Sequence, residues 1–175
     1  MIDFHKKNLS IGLDVDDVIC DFRKGYSDFI KNDVTKKPHF LFSYKTMDNL
    51  EKMDASFWLD LPPKVDGSKL SFLPSCYISS RSIDVEITEK WLEINGFPCV
   101  KVIHTKDSSK LKACIEFGID VFVDDYIKNF QELHVGGIET ILMDASHNRQ
   151  YNVDPYRLYN LNDLPEMLIK LNLKK

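Results

Sequence analysis

The amino-acid sequence predicts an α/β fold: a three-layer, Rossmann-like parallel sheet of about five strands with helices on both faces. Two observations carry this prediction. Short apolar runs of strand length recur along the chain, and between them lie segments whose apolar positions repeat at helical spacing. Parallel strands need crossover connections of this kind, and the connecting helices then cover both faces of the sheet.

The alternation begins with a buried-strand pattern at residues 9–15 and a helical pattern at residues 18–30. Residues 32–74 interrupt it with four prolines and a dense set of aromatic residues, so short helical pieces at most are expected there. We therefore predict a core domain formed by residues 1–31 and 75–175. Residues 32–74 would form a small, mostly helical cap inserted after the first helix.

Regular alternation then resumes and continues to the end of the chain. Gly96 and Gly118 follow two of the helical patterns, where glycine commonly ends a helix. In the second of these helices, Leu111, Cys114 and Ile115 are expected to face inward. The predicted strands cover 76–79, 99–103, 119–123 and 138–143, and the helices cover about 83–95, 107–117, 126–135 and 164–171.

Composition and charge exclude several classes of function. The net charge of −4 argues against a general basic surface, so stable nucleic-acid binding is not expected. The four cysteines show no Cys-x-x-Cys pair and are interpreted as free, buried thiols of a reducing compartment. The first apolar run is too short for a signal peptide or a membrane span, which predicts a cytoplasmic protein without membrane contact.

Carboxylates follow two of the predicted strands. Asp14, Asp16 and Asp17 come after the first strand, and Asp124 and Asp125 come after the fourth. Because parallel strands end at one edge of a sheet, these groups should meet there, and their mutual repulsion calls for a cation. Oxygen ligands suit magnesium. An acidic cluster of this kind, taken alone, is more often part of a turn or a helix cap. Two such clusters at the same edge of one sheet favour a functional site.

Two further polar residues fall where a phosphate site needs them. Ser79 ends the second strand, so its hydroxyl and the following backbone amides could donate to a phosphoryl oxygen; a helix N-cap is the alternative. Lys110 opens a helix, where the helix dipole disfavours a cation, which indicates that its charge is used elsewhere. A solvated lysine is the alternative there.

The order of these residues resembles the four motifs of the haloacid dehalogenase superfamily, spread from residue 9 to residue 125. The resemblance implies that Asp14 attacks phosphorus and forms an aspartyl-phosphate. Asp16 would protonate the leaving oxygen and later activate the hydrolytic water. Ser79 and Lys110 would hold the transferring phosphoryl oxygens.

The resemblance also implies a Mg²⁺ cofactor. Asp14, the backbone carbonyl of Asp16 and Asp124 would hold the ion, and Asp125 would be a nearby or water-mediated ligand. One residue departs from the pattern, since Asp17 stands where the superfamily usually has glycine. Asp17 makes the backbone less free and adds a negative charge.

Within the superfamily, three segments resemble the 5'(3')-deoxyribonucleotidase branch, namely residues 14–22, 57–63 and 147–149. This implies a small phosphorylated substrate, a nucleoside monophosphate. In that branch aromatic residues of the cap pack on the nucleobase; here Phe40, Phe42, Tyr44 and Trp58 could do so, or could form the cap's own core. Ser80, Arg81 and Arg157 are further candidates for substrate contacts.

Alternatives to a nucleotidase stay open. Among phosphatases, the substrate could be a sugar phosphate or the 3' phosphate of a polynucleotide end. A receiver-like module that accepts phosphate on aspartate is disfavoured, because such modules carry the acceptor after the third strand and the lysine after the fifth. A binding protein on the same fold is a further alternative.

Overall fold

A computed structural model describes residues 9–31, 50, 53–106 and 108–172. The described residues form one sheet of six parallel strands in the order β3-β2-β1-β4-β5-β6. The prediction of a parallel α/β sheet is therefore confirmed, with one short strand more than expected. The strands are β1 (Ile11–Leu13), β2 (Cys76–Ser79), β3 (Lys101–His104), β4 (Val121–Asp124), β5 (Glu139–Met143) and β6 (Arg157–Leu158).

Helices connect these strands. They are α1 (Phe22–Ile30), α2 (Ala55–Leu59), α3 (Val85–Ile94), α4 (Lys110–Glu116), α5 (Ile127–Val135) and α6 (Leu164–Lys170). Single 3₁₀ turns lie at Gly67–Lys69 and Leu161–Asp163. Gly96 and Gly118, which follow α3 and α4, have φ of 72° and 62°, the left-handed conformation that their positions predicted. In the described part of the chain, no helix has both the length and the hydrophobicity needed to cross a membrane.

Alternate residues of the strands belong to two hydrophobic cores, one on each face of the sheet. Val121 and Val123 lie in the larger core, whereas Phe122 between them lies in the smaller one. The larger core also takes buried residues from α1, α2, α3 and α6, and the smaller one takes them from α4 and α5. The sheet is thus the middle layer of three, as predicted.

The strand register brings the carboxyl ends of β1 and β4 together. Leu13 pairs with both Tyr77 of β2 and Val123 of β4, so β1 lies at the centre of the sheet. The amide of Asp14 donates to the carbonyl of Val123 at 2.9 Å. Asp14 therefore lies beside the end of β4, which carries Asp124.

The described part of the predicted cap packs against this edge of the sheet. Phe57, Trp58 and Leu61 belong to the same buried cluster as β1 and α1. Residue 21 donates its amide to the carbonyl of Pro62 at 2.7 Å, and Lys64 donates its amide to that of Ile19 at 2.8 Å. Residues 53–64 are thus fixed beside the loop that follows β1. The division into core and cap stays a prediction, since residues 32–49 lie outside the described residues.

Two smaller predictions were wrong. Ile115 is 63% exposed, because the buried face of α4 runs through Lys110, Ala113 and Cys114, and Ile115 lies one position past its edge. The four cysteines are free, but only three are buried, since Cys99 lies exposed just before β3.

Candidate active site at the carboxyl edge of the sheet

The loop after β1 carries the three carboxylates that the sequence singled out. Asp14 is buried, and its Oδ1 accepts a hydrogen bond from the amide of Val15 at 2.7 Å. Asp16 is the most accessible of the three, with 27% of its side chain exposed. Asp17 is buried and has φ of 58°. All three residues line the space above the sheet, and the loop turns sharply at Asp17.

Lys110 lies between two of the buried carboxylates. Its Nζ is 2.6 Å from Asp14 Oδ2 and 2.8 Å from Asp124 Oδ2, and its side chain is 4% exposed. Burial alone would lower the pKa of Lys110, but Asp124 and Asp14 raise it above its ordinary value. The lysine is thus a fixed cation at the centre of the site, which explains its place at the first position of α4.

Asp124 is held from three sides. Its Oδ1 accepts from the amide of Tyr126 at 2.8 Å, and its Oδ2 accepts from Asn129 Nδ2 at 3.0 Å as well as from Lys110. The residue is fully buried. These bonds fix the carboxylate at the start of α5, where the helix dipole favours negative charge. The role of Asn129 was missed from the sequence, where a lone asparagine on a helix carries no signal.

Three carboxylates lie close enough to share a cation. Ligand oxygens of Asp14, Asp124 and Asp125 lie within 4.8 Å of one another, and all three residues are buried. Burial raises the pKa of Asp14 well above its ordinary value, Lys110 opposes this rise, and Asp124 and Asp125 add to it. One lysine does not neutralise three buried carboxylates. An oxygen-only donor set with this excess of negative charge fits a hard divalent cation.

The imidazole of His147 also lies at the site, which the acidic motifs in the sequence did not predict. Its Nε2 lies 2.8 Å from Asp125 Oδ2, and both side chains are buried. Asp17, Asp125 and His147 also have ligand atoms within 4.8 Å of one another. Imidazole suits transition metals better than magnesium, so the oxygen-only group is the better candidate for Mg²⁺. In the sequence, His147 was noticed only as part of a family resemblance.

Asp17, the departure from the superfamily pattern, is accommodated by a cation of its own. Arg23 Nε lies 2.9 Å from Asp17 Oδ2, and the amide of Arg23 donates to Asp17 Oδ1 at 3.0 Å. Lys64 Nζ donates to the Asp17 carbonyl at 2.7 Å. Burial and then the charge of Asp125 raise the pKa of Asp17 above its ordinary value, while Arg23 opposes this rise. Arg23 thus compensates the added carboxylate locally, and Asp17 also lines the cavity above the sheet.

Arg81 binds Asp16. Its Nε donates to both carboxylate oxygens, at 3.0 and 3.2 Å, and its Nη2 donates to Oδ1 at 2.6 Å. Burial alone would lower the pKa of Arg81, and the charge and hydrogen bonds of Asp16 raise it above its ordinary value. The arginine that the sequence offered as a substrate contact therefore has a carboxylate of the site as its main partner.

A cavity of about 430 Å³ opens above these groups. Ser80 and Ser82 form its wall at the end of β2, whereas Ser79 is buried beneath, where its Oγ accepts from the amide of Arg81 at 3.3 Å. Apolar and aromatic side chains form the opposite walls. The lining residues are Asp14, Asp16, Asp17, Phe22, Leu50, Trp58, Ser80, Arg81, Ser82, Lys110, Asp125, Tyr126 and Asn129.

Not every predicted substrate contact belongs to this cavity. Trp58 lines it, but its ring also packs against the Arg81 guanidinium at 5.0 Å and against Phe22 at 6.0 Å. Arg157 lies elsewhere, where Nη1 donates to Asn148 Oδ1 at 2.7 Å and lies 3.2 Å from Asp144. The predicted contacts Phe40, Phe42 and Tyr44 lie outside the described residues.

The fold and the site together define an α/β protein with an acidic, lysine-containing centre at the carboxyl edge of a parallel sheet. Two solved structures share this fold over nearly their whole length. One is a HAD-superfamily hydrolase of subfamily IA, variant 1, from Geobacter sulfurreducens PCA, with a TM-score of 0.57, 12% identity, and coverage of 91% of this chain and 96% of that one. The other is a 2-haloacid dehalogenase from Pseudomonas syringae pv. Tomato DC3000, with a TM-score of 0.52, 14% identity, and coverage of 93% and 99%.

At these identities the likeness establishes only the fold, which this chain shares with these two hydrolases. No protein-family model matches the chain, and no curated protein matches it by sequence. One fold can carry many activities, so the activity of this protein depends on the residues of its site.

Proposed function

We propose that this protein is a magnesium-dependent phosphomonoester hydrolase that works through an aspartyl-phosphate on Asp14. The observation that carries the proposal is the position of Lys110, whose ammonium lies 2.6 Å from Asp14 and 2.8 Å from Asp124 at the floor of a cavity. A cation fixed against a carboxylate nucleophile can hold an incoming phosphoryl oxygen beside it and stabilise the charge that develops during transfer.

The proposed reaction has two displacements. A carboxylate oxygen of Asp14 attacks phosphorus, the bond from phosphorus to the ester oxygen breaks, and the leaving oxygen takes a proton from Asp16. Asp16 then removes a proton from a water molecule that attacks the phosphorus of the aspartyl-phosphate, which releases phosphate and restores Asp14. Asp16 is suited to both tasks because part of its carboxylate faces the cavity that also exposes Asp14.

The residues suited to hold Mg²⁺ are Asp14, Asp124 and Asp125, together with the backbone carbonyl of Asp16. A bound Mg²⁺ ion would supply charge neutralisation between the anionic phosphate and the anionic nucleophile. Ser80 and the neighbouring backbone amides at the end of β2 are suited to bind phosphoryl oxygens, because this serine lines the cavity.

The substrate we propose is a small phosphorylated molecule, with a nucleoside monophosphate as the first candidate. The cavity combines the charged floor with walls contributed by Phe22, Leu50, Trp58 and Tyr126. Such walls suit a planar, partly apolar leaving group such as a nucleoside. A sugar phosphate would fit the floor but would leave these walls unused. The acidic balance of the chain argues against a polynucleotide 3' end. We propose a cytoplasmic location for the protein, in keeping with its free cysteines.

Carbon–halogen hydrolysis is the second candidate reaction, since one structural neighbour is a 2-haloacid dehalogenase. A nucleophilic carboxylate next to a lysine would serve that reaction as well. The acidic group formed by Asp14, Asp124 and Asp125 favours phosphoryl transfer, because it calls for a divalent cation that an anionic phosphate can share.

The test is a screen of the purified protein with and without Mg²⁺. The substrates are an aryl phosphate, nucleoside 5' and 3' monophosphates, sugar phosphates, a DNA end with a 3' phosphate, and a 2-haloacid. We expect magnesium-dependent release of phosphate, greatest with a nucleoside monophosphate. Release of halide without release of phosphate would move the assignment to a dehalogenase. Release of neither product would leave a binding module on this fold.

A further inference from the structure

We propose that Arg81, Thr88 and His104 form a hydrogen-bond chain that orients the carboxylate of Asp16, which makes Thr88 and His104 positioning residues of the reaction. This inference rests on the proposed function, because it concerns how the proton donor of that reaction is held. Thr88 and His104 lie on α3 and at the end of β3, and neither is among the described residues that line the cavity. Among the described residues, Arg81 is the link that connects them to Asp16.

The contact between Arg81 and Asp16 fixes the direction in which Asp16 points. Nε and Nη2 of the guanidinium donate to the carboxylate as a fork, with distances between 2.6 and 3.2 Å. A bidentate pair of this kind defines the plane of the carboxylate as well as its distance. The arginine side chain is 1% exposed and that of Asp16 is 27% exposed. Arg81 is therefore the buried, fixed member of the pair, and Asp16 is the member that reaches the cavity.

Arg81 is in turn held by groups behind it. Its Nη1 donates to Thr88 Oγ1 at 3.1 Å, its Nη2 lies 3.5 Å from Cys20 Sγ, and the guanidinium lies 5.0 Å from the ring centre of Trp58. An arginine side chain has about 2 kcal/mol of rotamer entropy to lose. These contacts restrict its rotamers before any substrate arrives. Among the described residues, Thr88 is the one whose contact aligns Nη1, the end of the guanidinium that Asp16 does not use.

Thr88 is fixed by His104. Nε2 of the imidazole lies 3.1 Å from Thr88 Oγ1, and Nδ1 lies 3.0 Å from the carbonyl oxygen of Ile83. A carbonyl oxygen only accepts, so Nδ1 carries the proton, and Nε2 of the neutral ring accepts from the threonine hydroxyl. Thr88 Oγ1 is then free to accept from Arg81. Burial lowers the pKa of His104 although the bond to Ile83 opposes this, which agrees with a neutral ring.

One arrangement of protons thus satisfies the whole chain. His104 donates to Ile83, Thr88 donates to His104, and Arg81 donates to both Thr88 and Asp16. Thr88 is fully buried. Removing its hydroxyl would leave the Arg81 donor Nη1 and the His104 acceptor Nε2 without this partner. The guanidinium could then tilt, and Asp16 would tilt with it.

The chemical consequence depends on the leaving group. An alkoxide leaves poorly unless Asp16 delivers a proton as the phosphorus–oxygen bond breaks, whereas a nitrophenolate leaves without that help. A displaced Asp16 should therefore lower kcat/KM, which reports the first displacement, far more for an alkyl phosphate than for an aryl phosphate. The second displacement, in which Asp16 activates water, is common to both substrates. A variant that merely lost stability would slow both equally.

The kinetic test compares Thr88→Val, which keeps the shape and loses the hydroxyl, with the matched control Thr88→Ser. The substrates are p-nitrophenyl phosphate and glycerol 2-phosphate, both with Mg²⁺. We expect Thr88→Val to lower kcat/KM for the alkyl ester by about tenfold or more. For the aryl ester we expect kcat/KM to fall by about twofold. Thr88→Ser should retain the wild-type ratio.

A second pair of variants tests the histidine. In His104→Gln, the amide can reach the position of Nε2 and accept from Thr88. In His104→Asn, it can reach the position of Nδ1 but not Thr88. The glutamine variant should keep the ratio of the two activities, and the asparagine variant should change it as Thr88→Val does. The imidazole nitrogen resonances of His104 in the wild-type protein should show a proton on Nδ1 and none on Nε2, and Thr88→Val should shift the Nε2 resonance.

The outcomes separate this inference from the proposed function. A wild-type protein that releases phosphate from none of the phosphate esters in the screen overturns both the proposed function and the positioning role of the hydrogen-bond chain. An active wild-type protein overturns this inference alone under either of two results. One is that Thr88→Val leaves the ratio of alkyl to aryl activity unchanged, and the other is a proton on Nε2 of His104.

Discussion

The ammonium of Lys110 lies 2.6 Å from Asp14 and 2.8 Å from Asp124, so a single buried cation joins the carboxyl ends of β1 and β4. This contact gives the lysine two roles. It stabilises the folded protein by compensating buried negative charge, and it prepares the site for an anionic substrate. The two roles can be measured separately.

Replacing this lysine should destabilise the protein. In Lys110→Met, Asp14 and Asp124 keep their burial and lose their cation, which should lower the free energy of unfolding at pH 7 by about 3–5 kcal/mol. The loss should be smaller at pH 5, because Lys110 lowers the pKa of Asp14 and its removal lets that carboxylate protonate more readily. Urea unfolding at both pH values measures it. Lys112→Met, at an exposed position of the same helix, should stay within about 0.5 kcal/mol of wild type.

Replacing Asp17 by glycine should lower the stability of the protein rather than raise it. Asp17→Gly relieves a left-handed backbone conformation, a gain of about 1–2 kcal/mol, but leaves the buried Arg23 without its carboxylate, a loss of about 3–5 kcal/mol. We expect net destabilisation in urea unfolding. The double variant Asp17→Gly with Arg23→Leu should recover part of the loss. A single variant more stable than wild type would show that the ion pair contributes nothing.

Magnesium should stabilise the folded protein even without a substrate. An ion bound only by the folded state adds about 2.7 kcal/mol when its concentration is a hundred times its Kd, so the melting temperature should rise with Mg²⁺. Asp124→Asn removes a charge from the oxygen-only group and should abolish most of the rise, each variant being compared with itself without the ion. Asp66→Asn, at an exposed site, is the control. Equal rises in the melting temperature of Asp124→Asn and Asp66→Asn would show that the ion binds elsewhere.

His104 should impose a specific dependence of stability on pH. Burial lowers its pKa, so between the lowered value and the unfolded value of about 6.5 the unfolded chain binds more protons than the folded one. The contribution of His104 is therefore present above that range and is lost as the pH falls through it. Relative to His104→Gln, the wild-type protein should lose stability between pH 7.5 and pH 5 in urea unfolding. A constant difference between the two proteins would show that the histidine does not titrate differently on folding.

The sheet and the central carboxylates could be predicted because both follow from local pattern and parallel geometry. Apolar runs that end in Asp14 and Asp124 identify adjacent strand ends. Lys110 could be recognised because the helix dipole disfavours a lysine at the start of a helix. The partners of the other groups come from distant parts of the chain. Arg81 pairs with Asp16 across 65 positions, and no periodicity encodes such a contact.

The same limit applies to Asp17. As a sequence feature it was only a departure from glycine, and the compensation by Arg23 depends on how the first turn of α1 folds back onto the loop. The hydrogen bond from the Arg23 backbone amide and the ion pair of its guanidinium form together when the loop folds. Neither Asp17 nor Arg23 predicts this pair from the sequence alone. Buried ion pairs of this kind become visible only when the packing is known.

The central claim is that Asp14 is the nucleophile, and one rate comparison tests it most directly. The hydrolysis of p-nitrophenyl phosphate with Mg²⁺ is measured for wild type, for Asp14→Asn, and for Asp28→Asn at an exposed position as control. We predict that Asp14→Asn loses at least about a thousandfold in rate while its urea unfolding stays cooperative, and that Asp28→Asn retains the wild-type rate. A folded Asp14→Asn variant with the wild-type rate would contradict the account.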